Sequence, residues 1–180
     1  MCHNKLQKKE SLVFAYKIVM VGDFGVGKTS LVRRFVDNSF SENYISSIGV
    51  SISKKVITSS NIDSTMMLWD TEGKTEFNHI FKQYLVGAKG YIIVADLSRP
   101  KTLDSIKEHV ALCLSVVKDA PIYIALNKSD LQGHSTYSNE EIKAISKNIV
   151  EVYKTSAQSG DVVNEIFQQI NSTIITRGKA

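Results

Sequence analysis

The chain has 180 residues, 43% hydrophobic and 22% charged, a balance that suits one domain with a conventional core and excludes a disordered or low-complexity chain. Lysine and arginine exceed aspartate and glutamate by 22 to 18; the resulting +4 gathers near the start, at Lys5, Lys8 and Lys9, and is too slight for a nucleic-acid footprint. With only Cys2 and Cys113, far apart and with no secretory leader, a disulfide framework or a cysteine-based zinc site is not expected, and no apolar run approaches the ~18 residues of a membrane-spanning helix, so a cytoplasmic protein with at most peripheral membrane contact is expected.

Taken in chain order, residues 1–13 read as a flexible basic extension. A buried strand follows over 16–21, then a glycine-rich turn and an amphipathic helix carrying Leu31, Val32, Phe35 and Val36. Residues 50–57 alternate at first, as a strand with one wet face does, and are the expected edge or antiparallel member. Apolar runs over 66–69, 91–95, 122–126 and 149–153 suit strands covered on both faces, as in a parallel sheet. Helical spacing joins Leu103, Ile106, Val110, Cys113 and Val117 after a start at Ser98 and Pro100, and joins Val163, Ile166, Phe167, Ile170 and Ile174 near the end. Ser138 and Glu141 form a capping box for a short helix. Strand and helix alternate, so the class is α/β with a mostly parallel sheet.

Gly22-Asp23-Phe24-Gly25-Val26-Gly27-Lys28-Thr29 matches G-x-x-x-x-G-K-[ST], between a buried strand and a helix. There the glycines let backbone N–H groups close on a β-phosphate, Lys28 bridges β- and γ-phosphates, and the Thr29 hydroxyl ligates Mg²⁺. Met66-Met67-Leu68-Trp69-Asp70 delivers a second metal-side carboxylate at a strand end, acting through water, and Gly73 follows with a backbone N–H for the γ-phosphate.

Asn127-Lys128-Ser129-Asp130 follows the run 122–126 as an N-K-x-D sequence. A carboxylate such as Asp130 accepts from both N1–H and the 2-amino group of guanine, whereas adenine offers neither donor, so the base is guanine. Thr155-Ser156-Ala157, just after 149–153, is placed to offer a backbone N–H to guanine O6.

These residues resemble those of the Ras superfamily of small GTPases, most closely the Rab branch, over about 16–174. Tyr44-Ile45-Ser46-Ser47-Ile48-Gly49-Val50 resembles Y-I-S-T-I-G-V, and Trp69-Asp70-Thr71 resembles W-D-T. The resemblance implies a P-loop small G-protein domain over 14–176, with a six-stranded, mostly parallel sheet, one antiparallel edge strand and helices on both faces. It implies phosphate contacts from Ser30, Tyr44 and Ser47, with Ser47 also on Mg²⁺. It implies base contacts from Phe40, Lys128, Ser156 and Gln158, and an effector surface from Ile48, Ile52, Trp69, Phe77 and Tyr84. GTP or GDP and Mg²⁺ are the implied ligands, effector proteins the partners, and a monomeric switch in vesicle trafficking the function.

The chain departs from the family's W-D-T-A-G-Q-E, reading Glu72-Gly73-Lys74-Thr75 after Trp69-Asp70-Thr71. Lys74 replaces the glutamine that orients the attacking water, and an ammonium accepts no hydrogen bond. Phe24 adds bulk beside the water and any incoming arginine finger, and Glu72 adds negative charge. Slow hydrolysis is expected; the alternative is a pseudo-GTPase holding one nucleotide as a fixed interaction module. Thr75 lacks the acidity that exchange factors use, which weakens assisted exchange, and the crowding by Phe24 weakens assisted hydrolysis. Residues 177–180 form a short tail with none of the prenylated cysteines of Rab proteins.

Overall fold

The computed structural model describes residues 14–37, 43–47, 49–58, 63–71, 82–131 and 137–178. In chain order these form β1 (Phe14–Val21), α1 (Lys28–Asp37), β2 (Asn43–Ser47), β3 (Val50–Ile57) and β4 (Ser64–Thr71). A single 3₁₀ turn, Lys82–Tyr84, leads to β5 (Gly90–Asp96), α2 (Pro100–Asp104) and α3 (Ile106–Val116). The chain continues with β6 (Ile122–Asn127), α4 (Asn139–Lys143), β7 (Ile149–Lys154) and α5 (Val163–Gly178).

The strands lie in the order β2-β3-β4-β1-β5-β6-β7. β1 pairs in parallel with β4 and β5, and β6 in parallel with β5 and β7, whereas β3 runs antiparallel to β4. The six strands expected from the sequence are therefore present, with β3 the antiparallel member. The five-residue β2 adds a short strand outside β3, antiparallel to it with a register shift between Tyr44 and Ser46, so β3 is flanked on both sides and β2 holds the edge.

The apolar runs are nearly continuous because the central strands are covered twice. Ile18 and Met20 point into one core with Ile92, Val94, Phe35, Phe167 and Ile170, under α1 and α5. Val19 and Val21 point into the other with Ile93, Ile106, Val110, Cys113 and Ile124, under α3. Phe35 and Phe167 stack with centroids 4.2 Å apart, locking α1 to α5. One buried polar knot crosses this layer: Tyr16 and Ser64 both donate to Asn171 Oδ1, the latter at 2.9 Å.

Two helix boundaries differ from the periodic reading. The helix expected through Leu103 and Val117 is divided at Ser105, and Val117 is already extended. Pro100 does sit in the first turn, but the N-cap is Arg99 and not Ser98. The Ser98 hydroxyl donates instead to Asp96 Oδ1 at 2.6 Å, a local turn that outcompetes capping. The capping box of Ser138 and Glu141 is formed as expected. Among the described residues, no helix is long and apolar enough to cross a membrane.

Candidate nucleotide site

Parallel pairing carries the C-terminal ends of β1, β4, β5, β6 and β7 to one side of the sheet, where Met20 aligns with Asp70 and Asp96 with Asn127. Motifs more than a hundred residues apart in sequence thereby meet in one crevice, the place where ligands bind in open α/β sheets.

The phosphate loop between β1 and α1 needs its glycines for two reasons. Gly25 and Gly27 have φ of 71° and 101°, in the region other residues avoid. A Cβ on Gly27 would stand 2.3 Å from Asn127 Nδ2, and one on Gly22 2.3 Å from the Val94 carbonyl oxygen. The loop is thus pressed against β5 and the base loop. Lys28, 5% exposed, donates from Nζ to the carbonyls of Gly22 at 3.0 Å and Asp23 at 2.8 Å. Phe24 stands at the tip, 61% exposed.

Beside the loop, Thr29 Oγ1 donates to Asp70 Oδ2 at 2.6 Å. Asp70 Oδ1 is buried without a hydrogen-bond partner among the described residues. Burial pushes this carboxyl above its usual range, against the opposing pull of the Thr29 hydroxyl, Lys28 and Arg33. An orphaned buried carboxylate oxygen next to a hydroxyl is a costly arrangement for a protein alone. It fits a hard divalent cation, which takes oxygen ligands and binds through one or two protein groups plus phosphate.

In the base loop, Asn127 is 1% exposed and joins three segments. Its Nδ2 donates to the Val26 carbonyl at 2.9 Å, while Oδ1 accepts from Thr155 Oγ1 at 3.3 Å and from Ala157 N–H at 3.2 Å. Lys128 adopts φ 62°, and its Nζ lies 2.7 Å from Asp96 Oδ2. Asp130 is exposed and accepts from the buried Ser156 hydroxyl, and Ser129 N–H donates to the Thr155 carbonyl at 3.1 Å. The carbonyls of Ala157 and Gln158 both accept from Arg34, at 2.9 Å for Ala157. Ser30, Arg33, Arg34, Asp37 and Ala157 line a cleft of about 300 Å³ at this side of the site.

The sequence-derived residues of the phosphate loop, Asp70 and both base segments are thus gathered in one place. Tyr44 and Ser47 lie on β2, with their side chains outside the described part, and Phe40, Ile48, Gly73, Lys74 and Phe77 lie outside the described residues, as do Glu72 and Thr75. On the expected effector surface, Ile52 pairs with Trp69 across β3 and β4, both half-buried. Lys17 Nζ lies 3.5 Å from the Trp69 ring centroid and donates to the Val86 carbonyl at 2.9 Å. Tyr84 is half-buried in the 3₁₀ turn.

Sequence reasoning missed Asp96, Arg99 and Arg34. Asp96 is a carboxylate ending a buried strand, the same signal that marked Asp70, and could have been found that way. Arg34 carries no local signal, because its partners are backbone carbonyls of a distant loop, and Arg99 has a local partner in Asp96 but reaches the phosphate loop through the distant Phe24 carbonyl.

The sequence model of the Ras family matches residues 17–176. Ras-related protein RabC of Dictyostelium discoideum is 31% identical, with 88% of this chain and 85% of that protein aligned. GTP-binding protein ypt4 of Schizosaccharomyces pombe is 31% identical over 94% of this chain and 75% of its own length, and Ras-related protein SEC4 of Saccharomyces cerevisiae is 33% identical over 84% and 71%. The fold and site define a P-loop GTPase, and the chain belongs to the Ras family, with Rab and Ypt proteins among its relatives. Proteins of this family bind guanine nucleotides together with Mg²⁺.

Proposed function

We propose that this protein is a Rab-like guanine-nucleotide switch in vesicle trafficking, peripheral to its membrane and slow in intrinsic GTP hydrolysis. The observation that carries the reading is the side chain of Asn127, which binds the phosphate loop at Val26 and the second base segment at Thr155 and Ala157. One buried amide thereby makes phosphate recognition and base recognition parts of a single site. Thr29 and Asp70 would hold Mg²⁺, which supplies neutralising charge to the phosphates when bound. Asp130 selects guanine through the N1–H and 2-amino donors of the base, and Lys28 contributes the mobile cation at the phosphates.

The slow-hydrolysis part rests on chemistry at one locus. Lys74 cannot position water as glutamine does, Glu72 adds like charge, and Phe24 projects an exposed ring from the loop tip. Effectors recognise the ordered GTP state, and the surface around Ile52 and Trp69 is the part of this chain suited to them. The test is to identify the nucleotide released from purified protein, then follow one turnover of added GTP. Guanine nucleotide and a rate no faster than the ordinary intrinsic value, on the order of 10⁻⁴ s⁻¹, are expected. Release of adenine nucleotide, or a much faster rate, overturns the assignment, whereas no turnover at all favours a fixed nucleotide-holding module.

A further inference from the structure

Asp96 ends β5 with its side chain fully buried. Its Oδ1 accepts from Ser98 N–H at 2.9 Å and Ser98 Oγ at 2.6 Å, and its Oδ2 from Arg99 Nε at 2.8 Å and Lys128 Nζ at 2.7 Å. Arg99 does not stop there: Nη2 donates to the Phe24 carbonyl at 3.0 Å. The guanidinium also lies over Gly25, where a Cβ would meet Nη2 at 3.7 Å. A continuous chain of charge-assisted bonds therefore runs from Lys128 in the base loop, through a buried carboxylate and a guanidinium, to the tip of the phosphate loop.

Only a guanidinium fits this place. It offers donors from more than one nitrogen in a fixed plane, so it can bond a carboxylate and a carbonyl at once, whereas an ammonium at the same reach is a single point. The neighbouring loop residue is held from the same direction, with Asp23 Oδ1 3.0 Å from Nε2 of His109, a residue 2% exposed on α3. Residues 23 and 24 are thus both tied to the stretch that runs from the end of β5 through α3. Asp96 cannot lose a cation cheaply, because a buried charge left partly uncompensated is costly. A shift of either nucleotide loop is consequently opposed by the other.

We propose that Arg99 is a positioning residue for nucleotide retention, coupling the base loop at Lys128 to the phosphate loop at Phe24 through the Asp96 carboxylate. The inference rests on the reading of this crevice as a guanine-nucleotide site. Arg99 itself is 44% exposed, so truncating it opens no cavity in the core.

The experiment measures release of a fluorescent GDP analogue from the full chain as wild type, R99A, R99K, K128A and R99A/K128A, with melting curves for each. R99A speeds release about tenfold, the worth of one charge-assisted hydrogen bond, at little change in melting temperature. R99K releases at an intermediate rate, since one nitrogen cannot stand at both the Nε and the Nη2 positions from which Arg99 reaches its two partners. In the K128A background, adding R99A changes release by less than about twofold, the non-additivity of a shared network. If R99A folds poorly, R99Q gives the same reading. Release from R99A and R99Q within twofold of wild type, wild-type release from R99K, or an undiminished R99A effect beside K128A overturns the coupling. A wild type that binds no guanine nucleotide overturns the site reading itself, which is a separate outcome.

Discussion

At the residue scale, the base site turns on one carboxylate. Asp130 accepts from Ser156 and remains exposed; in the proposed function it takes the N1–H and 2-amino donors of guanine. Asp130→Asn exchanges an acceptor for a donor, so GDP affinity should fall by two to three orders of magnitude, about 3–4 kcal/mol, while xanthine nucleotides gain. Competition binding with GDP, XDP and ADP checks this. Asp96 carries a different signature. Burial pushes its carboxyl up, but bonds from Lys128, Ser98 and Arg99 outweigh burial and bring it down to about 2. A folded-state pKa below the unfolded value of about 3.9 contributes stability that is present above pH 4 and lost as pH falls toward 2. Asp96→Asn should therefore flatten the fall of melting temperature between pH 5 and pH 2. At pH 7 the same variant should lose about 1–3 kcal/mol, because Lys128 and Arg99 lose their shared anion.

At the element scale, boundaries follow from local chemistry where the partners are close in sequence. Ser138 accepts from Glu141 N–H at 3.2 Å while Ser138 N–H donates to Glu141 Oε2 at 2.7 Å. Ser138→Ala should cost about 1 kcal/mol, read as a lower denaturation midpoint with unchanged slope. The division of the expected helix into α2 and α3 was not legible in this way. Ser105 sustains helical dihedrals, φ −68° and ψ −14°, and the apolar spacing runs through it. Likewise Ser98 has the composition of a cap, but the buried Asp96 carboxylate beside it is a stronger acceptor and takes both its N–H and its hydroxyl. Periodicity reports which face is buried; it does not report competition for a donor.

At the scale of the whole molecule, ligand and fold are linked, because the crevice draws on the ends of five strands. Removing Mg²⁺ and nucleotide with a chelator should lower the melting temperature markedly. A ligand held at a thousand times its dissociation constant stabilises by about 4 kcal/mol, and calorimetry with and without GDP checks that linkage. Asp70 gives this prediction its local basis, since its buried Oδ1 has no hydrogen-bond partner among the described residues and would gain one from a metal-bound ligand.

What the amino-acid sequence determined by itself was the α/β class, the order along the chain of every strand but β2, the phosphate loop and the N-K-x-D tetrapeptide. Each of these is written in contiguous residues whose conformations answer to near neighbours: the glycines of 22–27, the apolar run of β6 leading into Asn127, the capping box at Ser138. Tertiary structure alone decided that β2 would cover the edge of β3, and that Asn127 would tie the two base segments to the phosphate loop. It also decided that Arg99 would reach across to Phe24, 75 residues away. The Asn127 and Arg99 contacts depend on parallel strands from distant parts of the chain arriving in register, and on backbone groups that every residue carries, so no pattern of side chains announces them.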